Sequence, residues 1–237
     1  MKPTLIILPG WGGSTETWKD FIALAETEFQ VVCIDLPCFG TEPCPSSVWG
    51  VEEYTAFVVT KIKAITEQPV MLLGHSFGGQ IASSVAATHP DMVKKLILTG
   101  AAALRPKRSL RRGLFFLIAK CGKLLFKLPI IGRFDALAKK VLYKGTDSPD
   151  YGETSGIKRD IFRKIIRQDL RHLLPSISVP TLLVWGDQDS YVPLRMGKKI
   201  NTLIPKSKLL VIKGGRHGLH LMQTDTLFNV VRSFVFE

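Results

Sequence analysis

Short apolar runs alternate along this chain with longer segments whose apolar residues return every three or four positions. Thr4 to Leu8, Val31 to Asp35, Val70 to Leu73, Lys95 to Thr99, Thr181 to Trp185 and Leu209 to Ile212 each have the length and composition of a buried strand. Between them the period changes. Trp18, Phe21, Ile22 and Leu24 fall on one face of a helix that Ser14 or Thr15 can cap, and so do Val51, Tyr54, Val58 and Ile62. Ile81, Ala82, Val85 and Ala86 give a third helix, ended by His89-Pro90; Pro193 to Leu203 and Thr224 to Phe236 give two more. Strands that alternate with amphipathic helices need crossover connections. The expected fold is therefore α/β, a mostly parallel sheet of about six strands with helices on both faces.

That rhythm breaks once, between about Leu104 and Leu174. Leu110, Leu114, Leu117, Ile118, Cys121, Leu124, Leu125 and Leu128 share one helical face, with Arg111, Arg112, Lys120, Lys123 and Lys127 largely off it. Further helical pieces are expected over Phe134 to Tyr143 and Lys158 to Leu174. The chain thus reads as a core domain, 1–103 and 175–237, interrupted by a basic helical insert at 104–174. Charge marks the same boundary. Of 32 Lys and Arg, 18 lie between Arg105 and His172, together with only 6 of the 20 Asp and Glu, so the net charge of +12 resides in this third of the chain. No nucleic-acid reading motif accompanies the charge, and no nucleic-acid partner is expected.

With 237 residues, 46% of them hydrophobic, the chain has ample material for one core. Lys2 is followed by too short an apolar run for a secretory leader. In the basic region the longest apolar stretch, Leu114 to Ala119, stops at Lys120, far short of a membrane span. Cys33, Cys38, Cys44 and Cys121 show no C-x-x-C spacing. Free thiols in a reducing cytoplasm are the plain expectation, with a Cys38–Cys44 pair or metal site as the alternative.

Candidate chemistry gathers at the ends of the strands. Val70 to Gly79 reads V-M-L-L-G-H-S-F-G-G: a strand that turns into a helix around Ser76, with Gly74, Gly78 and Gly79 beside it. This is the G-x-S-x-G elbow, which exposes a serine Oγ at a helix N-terminus. A serine hydroxyl needs a base, and the base needs an orienting carboxylate. Gly186-Asp187-Gln188-Asp189 follows one strand and Gly214-Gly215-Arg216-His217-Gly218 the next. Because parallel strands end along one sheet edge, Ser76, Asp187 or Asp189, and His217 can converge there.

P-G-W-G-G at 9–13, D-L-P-C-F-G at 35–40, G-H-S-F-G-G at 74–79, W-G-D-Q-D-x-x-V-P at 185–193 and G-R-H-G-L-H at 215–220 occur in this order. Together they resemble the α/β-hydrolase fold family, in its serine esterase, C–C hydrolase and methyl-ester carboxylesterase group. The resemblance runs from residue 4 to 236 except in the basic segment. It implies Ser76 as nucleophile, His217 as general base and Asp189 as the acid, leaving Asp187 to cap its turn. It also implies an oxyanion hole from the backbone N–H groups of Trp11 and Phe77. His75 and His220 read as structural neighbours, and Asp35 as a tie for the D-L-P turn. Cys38 stands where the family commonly has glycine. The family's N-terminal hairpin has no counterpart before P-G-W-G-G, so a trimmed sheet is expected.

By the same resemblance the insert is a cap over the active site. Its apolar face packs on the core or roofs an acyl pocket, and its basic face either meets water or docks an acidic partner, an acyl carrier protein or anionic lipid. The function expected is a cytoplasmic serine hydrolase that cleaves an ester or thioester of an apolar acyl substrate through an acyl-enzyme, without metal or organic cofactor. C–C bond hydrolysis or lyase chemistry on the same triad is the first alternative. A non-catalytic binding protein that uses the basic cap is the second.

Overall fold

A computed structural model describes residues 2–105 and 156–237. The expected helices at Leu110 to Leu128 and Phe134 to Tyr143, and Cys121, lie outside these residues. Apart from Arg105, the described residues belong to one compact unit that takes in Met1–Leu104 and Ser155–Glu237. In chain order its elements are β1 (Thr4–Leu8), α1 (Lys19–Ala25), β2 (Gln30–Cys33), α2 (Val51–Ile65), β3 (Val70–His75), α3 (Ser76–Thr88), β4 (Val93–Thr99), α4 (Gly156–Ile165), β5 (Thr181–Gly186), α5 (Leu194–Asn201), β6 (Ser207–Ile212), α6 (Leu219–Met222) and α7 (Thr224–Phe236).

The strands form one six-stranded sheet in the order β2-β1-β3-β4-β5-β6, and every neighbouring pair is parallel. Strand alternation divides the core into two layers. Leu5, Ile7, Met71, Leu73, Ile97, Leu182 and Val184 join one apolar cluster with Phe21 and Ala25 of α1 and Leu227, Val231, Phe234 and Val235 of α7. Ile6, Leu8, Leu72, Leu96, Leu98 and Leu183, the alternate residues, are fully buried too. A parallel sheet covered on both faces explains why its strands are almost continuously hydrophobic.

Two shifted boundaries and one cysteine pair bear on the site. β2 ends at Cys33 rather than Asp35, because Asp35 turns its carboxylate to two neighbouring loops. The helix expected over Lys158 to Leu174 ends at Ile165. There the side chain of Gln80, buried on α3, donates to the carbonyls of Ile165 (3.4 Å) and Gln168 (3.1 Å), while Gln168 Oε1 accepts from the Val51 N–H at the start of α2 (2.9 Å). The chain then returns to the sheet, where the Leu170 N–H donates to the Ala103 carbonyl at 2.9 Å. Third, Cys38 and Cys44 are joined in a disulfide rather than left as thiols, six positions apart in the loop after β2, whereas Cys33 is a free thiol. No helix among the described residues is long and apolar enough to cross a membrane.

Candidate active site

β3 is buried along its whole length and passes directly into α3 at Ser76. Ser76 has φ +51°, a left-handed conformation that costs a non-glycine residue about 1–3 kcal/mol. The surrounding packing enforces it. A Cβ on Gly78 would run into the carbonyls of Leu8 and Pro9, and one on Gly74 would lie 2.6 Å from Ala82 Cβ. Strand, elbow and helix thus approach so closely that only hydrogen fits at these positions. The Ala102 N–H donates to the Ser76 carbonyl at 2.9 Å, which fixes the elbow to the chain leaving β4.

Asp189 follows the end of β5 and is buried. Its Oδ1 accepts from the N–H groups of Tyr191 (2.9 Å) and Val192 (2.8 Å), and its Oδ2 accepts from His217 Nδ1 at 2.7 Å. An ionised carboxylate only accepts, so this bond places the proton of neutral His217 on Nδ1 and leaves Nε2 with a lone pair. Asp187, two residues earlier, is exposed and accepts from the Gly214 N–H at 2.8 Å, which ties the β5 loop to the β6 loop. Only Asp189 of the two carboxylates holds His217.

Two further histidines crowd this ring. His75, on the residue before Ser76, lies 4.7 Å from His217 and 4.8 Å from His220, centroid to centroid. Its Nδ1–H donates to the Thr99 carbonyl across the β3–β4 pair at 3.0 Å. Burial, then repulsion from His217 and His220, holds His75 well below the ordinary imidazole range. His220 stacks on Trp18 at 4.2 Å and 7°, and burial, followed by repulsion from His217, brings it to about 4. Both rings are neutral near pH 7, so they contribute packing and, for His75, the bond to Thr99 rather than charge.

Two residues that the sequence did not flag touch His217. Gly100, which has φ +53° just beyond β4, comes so near that a Cβ there would lie 3.0 Å from His217 Nδ1 and 3.2 Å from Asp189 Oδ2. A glycine at a strand end on the edge that carries Ser76 was the available signal. Tyr191 stacks on His217 at 5.1 Å and 19°; nothing in the sequence marked it. Gly100→Ala combines an unfavourable φ with pressure on the His–Asp bond. It is expected to lower kcat about 100-fold, as displacements near 1 Å do, with the melting temperature less affected. Steady-state kinetics beside a thermal melt separates the two effects.

Trp11 and Phe77, the two residues proposed for the oxyanion hole, meet through their rings at 5.6 Å. The Trp11 ring also meets Phe39 at 4.8 Å and Phe162 of α4 at 4.9 Å, and Phe77 meets Tyr54 at 5.0 Å. The Trp11 loop is closed by the Gly13 N–H donating to the Gly10 carbonyl at 3.0 Å. Asp35 bridges this loop to the loop after β2. Oδ1 accepts from Thr15 N–H (2.7 Å) and Oγ1 (2.9 Å), and Oδ2 from Thr41 N–H (3.0 Å) and Oγ1 (3.4 Å). Partial burial raises the Asp35 carboxyl, but these bonds outweigh it and hold it below the usual range.

A parallel sheet with a serine elbow and a buried carboxylate–histidine pair at the same edge defines an α/β-hydrolase architecture. The sequence agrees: residues 3–120 and 112–222 match the alpha/beta hydrolase fold family, and the chain belongs to it as an α/β-hydrolase enzyme. A pimeloyl-[acyl-carrier protein] methyl ester esterase of Neisseria meningitidis serogroup A is 28% identical over 97% of this chain and 75% of its own. The protein of the same name from Vibrio campbellii is 27% identical over 98% of this chain and 94% of its own. Among solved structures, the enol-lactonase from Burkholderia xenovorans LB400 has the same fold, with a TM-score of 0.75 at 19% identity over 100% of this chain and 92% of its own.

Proposed function

We propose that this chain is a cytoplasmic serine hydrolase that cleaves a carboxylic ester of an acyl chain carried by an acyl carrier protein. The observation that carries the reading is the His217 Nδ1–Asp189 Oδ2 bond of 2.7 Å beside an elbow serine at φ +51°. Ser76 Oγ attacks the ester carbonyl while His217 Nε2 takes its proton. Asp189 fixes the ring's tautomer and stabilises the imidazolium. The N–H groups of Trp11 and Phe77 receive the negative charge of the tetrahedral intermediate. His217 then gives its proton to the departing alcohol oxygen, an acyl-enzyme remains on Ser76, and water, activated by the same His217, releases the acid and frees the serine.

The substrate class rests on two supports. The relatives described above are methyl ester esterases named for a carrier-borne acyl group. The excess of positive charge in this chain lies between Arg105 and His172, which suits an acidic carrier. The test compares a methyl ester of a dicarboxylic acyl chain on acyl carrier protein with the same chain as a free methyl ester. Preferential release of methanol from the carrier-borne ester is expected. The KM for that substrate should rise with salt, since exposed charges are screened beyond about 8 Å at physiological ionic strength. Equal kcat/KM on both substrates, insensitive to salt, would refute the carrier assignment and leave a general esterase.

A further inference from the structure

We propose that the Cys38–Cys44 disulfide is a thiol-exchange site, and that its reduction slackens the oxyanion loop and slows the enzyme. The inference rests on the reading of Trp11 as an oxyanion donor.

Three observations lead to it. First, the bonded pair encloses Phe39 and Thr41, and both reach the neighbouring loop. Phe39 is buried and meets the Trp11 ring edge-on at 4.8 Å. Thr41 shares the Asp35 carboxylate with Thr15, four residues beyond Trp11. The enclosed residues therefore grip the oxyanion loop at two separate points. Second, Cys38 has φ +79°, where a side chain is disfavoured, and its N–H donates to the Pro43 carbonyl at 3.2 Å. The bond across the ring resists relaxation of that residue. Third, the pair is open to attack: Cys44 is exposed and Cys38 half-buried. Cys33, by contrast, is pushed up to about 12, chiefly by burial, which leaves almost no thiolate to take part in exchange.

The exchange balances with a dithiol as reductant. One thiolate of the dithiol attacks Cys44 Sγ, a mixed disulfide forms, and Cys38 leaves as a thiolate that takes up a proton. The second thiol of the reductant then displaces Cys44, the reductant closes its own disulfide, and two electrons have passed to the protein. In a reducing compartment such an accessible bond works as a switch rather than a staple.

The test uses the full chain, air-oxidised, with the state of the pair read by alkylation and mass. Full reduction by dithiothreitol is expected to lower kcat on a short p-nitrophenyl ester about 3- to 10-fold, with KM nearly constant, because the loss is in the positioning of transition-state donors. Diamide should restore the rate. Cys38→Ser with Cys44→Ser should sit at the reduced rate and ignore dithiothreitol, which excludes effects through Cys33 or Cys121. Should that variant not fold, Cys38→Gly with Cys44→Ser serves instead, since glycine accepts the positive φ. Equal kcat in the two states, or a pair that stays reduced after oxidation, overturns the proposal while esterase activity stands. Absence of turnover in both states defeats the functional reading instead. Amide hydrogen exchange over residues 9–15 then decides: faster exchange on reduction supports the coupling, and unchanged exchange overturns it.

Discussion

Ser76→Ala is expected to lower kcat for p-nitrophenyl ester hydrolysis by about 10⁴- to 10⁶-fold while the protein stays folded. The magnitude follows from removal of the attacking atom. Without Oγ no acyl-enzyme forms, and His217 has no hydroxyl to deprotonate. What persists is the proposed donor pair at Trp11 and Phe77 acting on a water attack, which is why the residual rate should stay above the uncatalysed one. Alanine also fits the site, because serine already holds φ +51° and the exchange removes a single oxygen. A fluorophosphonate should label wild type and not the variant. Turnover that survives intact in the variant would remove the serine mechanism altogether.

Asp189→Asn should cost about 10⁴-fold in kcat, against little change for Asp187→Asn. An amide at position 189 can present its NH₂ to His217 Nδ1. The ring then carries its proton on Nε2, facing Ser76 as a donor when catalysis requires an acceptor. Alternatively its carbonyl oxygen keeps the His217 bond, but the negative charge that stabilises the imidazolium is lost. In the Asp187→Asn variant the new amide still has a carbonyl oxygen for the Gly214 N–H, the group that Asp187 accepts from at 2.8 Å, so the turn survives. The pair of variants measured side by side assigns the acid. A larger loss at position 187 than at 189 would contradict the assignment drawn from the geometry.

The sheet was legible because its signal is local. Six short apolar runs and their intervening helical periods depend on neighbours in sequence, and each produced its strand. The positions of Ser76 and His217 were legible for a related reason: each lies just past a strand end, in a glycine-rich turn. Gly100, Tyr191 and Gln80 were not, because their importance lies in partners far along the chain. Gly100 makes room for His217, and Gln80 ends α4 from 85 residues away. The choice between Asp187 and Asp189 likewise came from the resemblance, since two carboxylates in one turn satisfy the same pattern. For the disulfide, residue spacing carried no rule. Cys38 and Cys44 come together because the loop between them folds back, with the Cys38 N–H on the Pro43 carbonyl.

The return of the chain to the sheet has a consequence for protein engineering. Leu170 is bonded to Ala103, and Gln80 and Gln168 fasten the end of α4 to α3 and α2, so the two borders of the insertion are clasped within the core itself. Closing a connection between clasped ends costs free energy only logarithmically in its length, about 0.6 kcal/mol for each doubling. By that rule the stretch between Leu104 and Gly156 can change in length at little cost in stability. Chimeras joined at Leu104 and Gly156 would therefore exchange the stretch between those residues while leaving Ser76, Asp189, His217 and the contact of Phe162 with Trp11 in place.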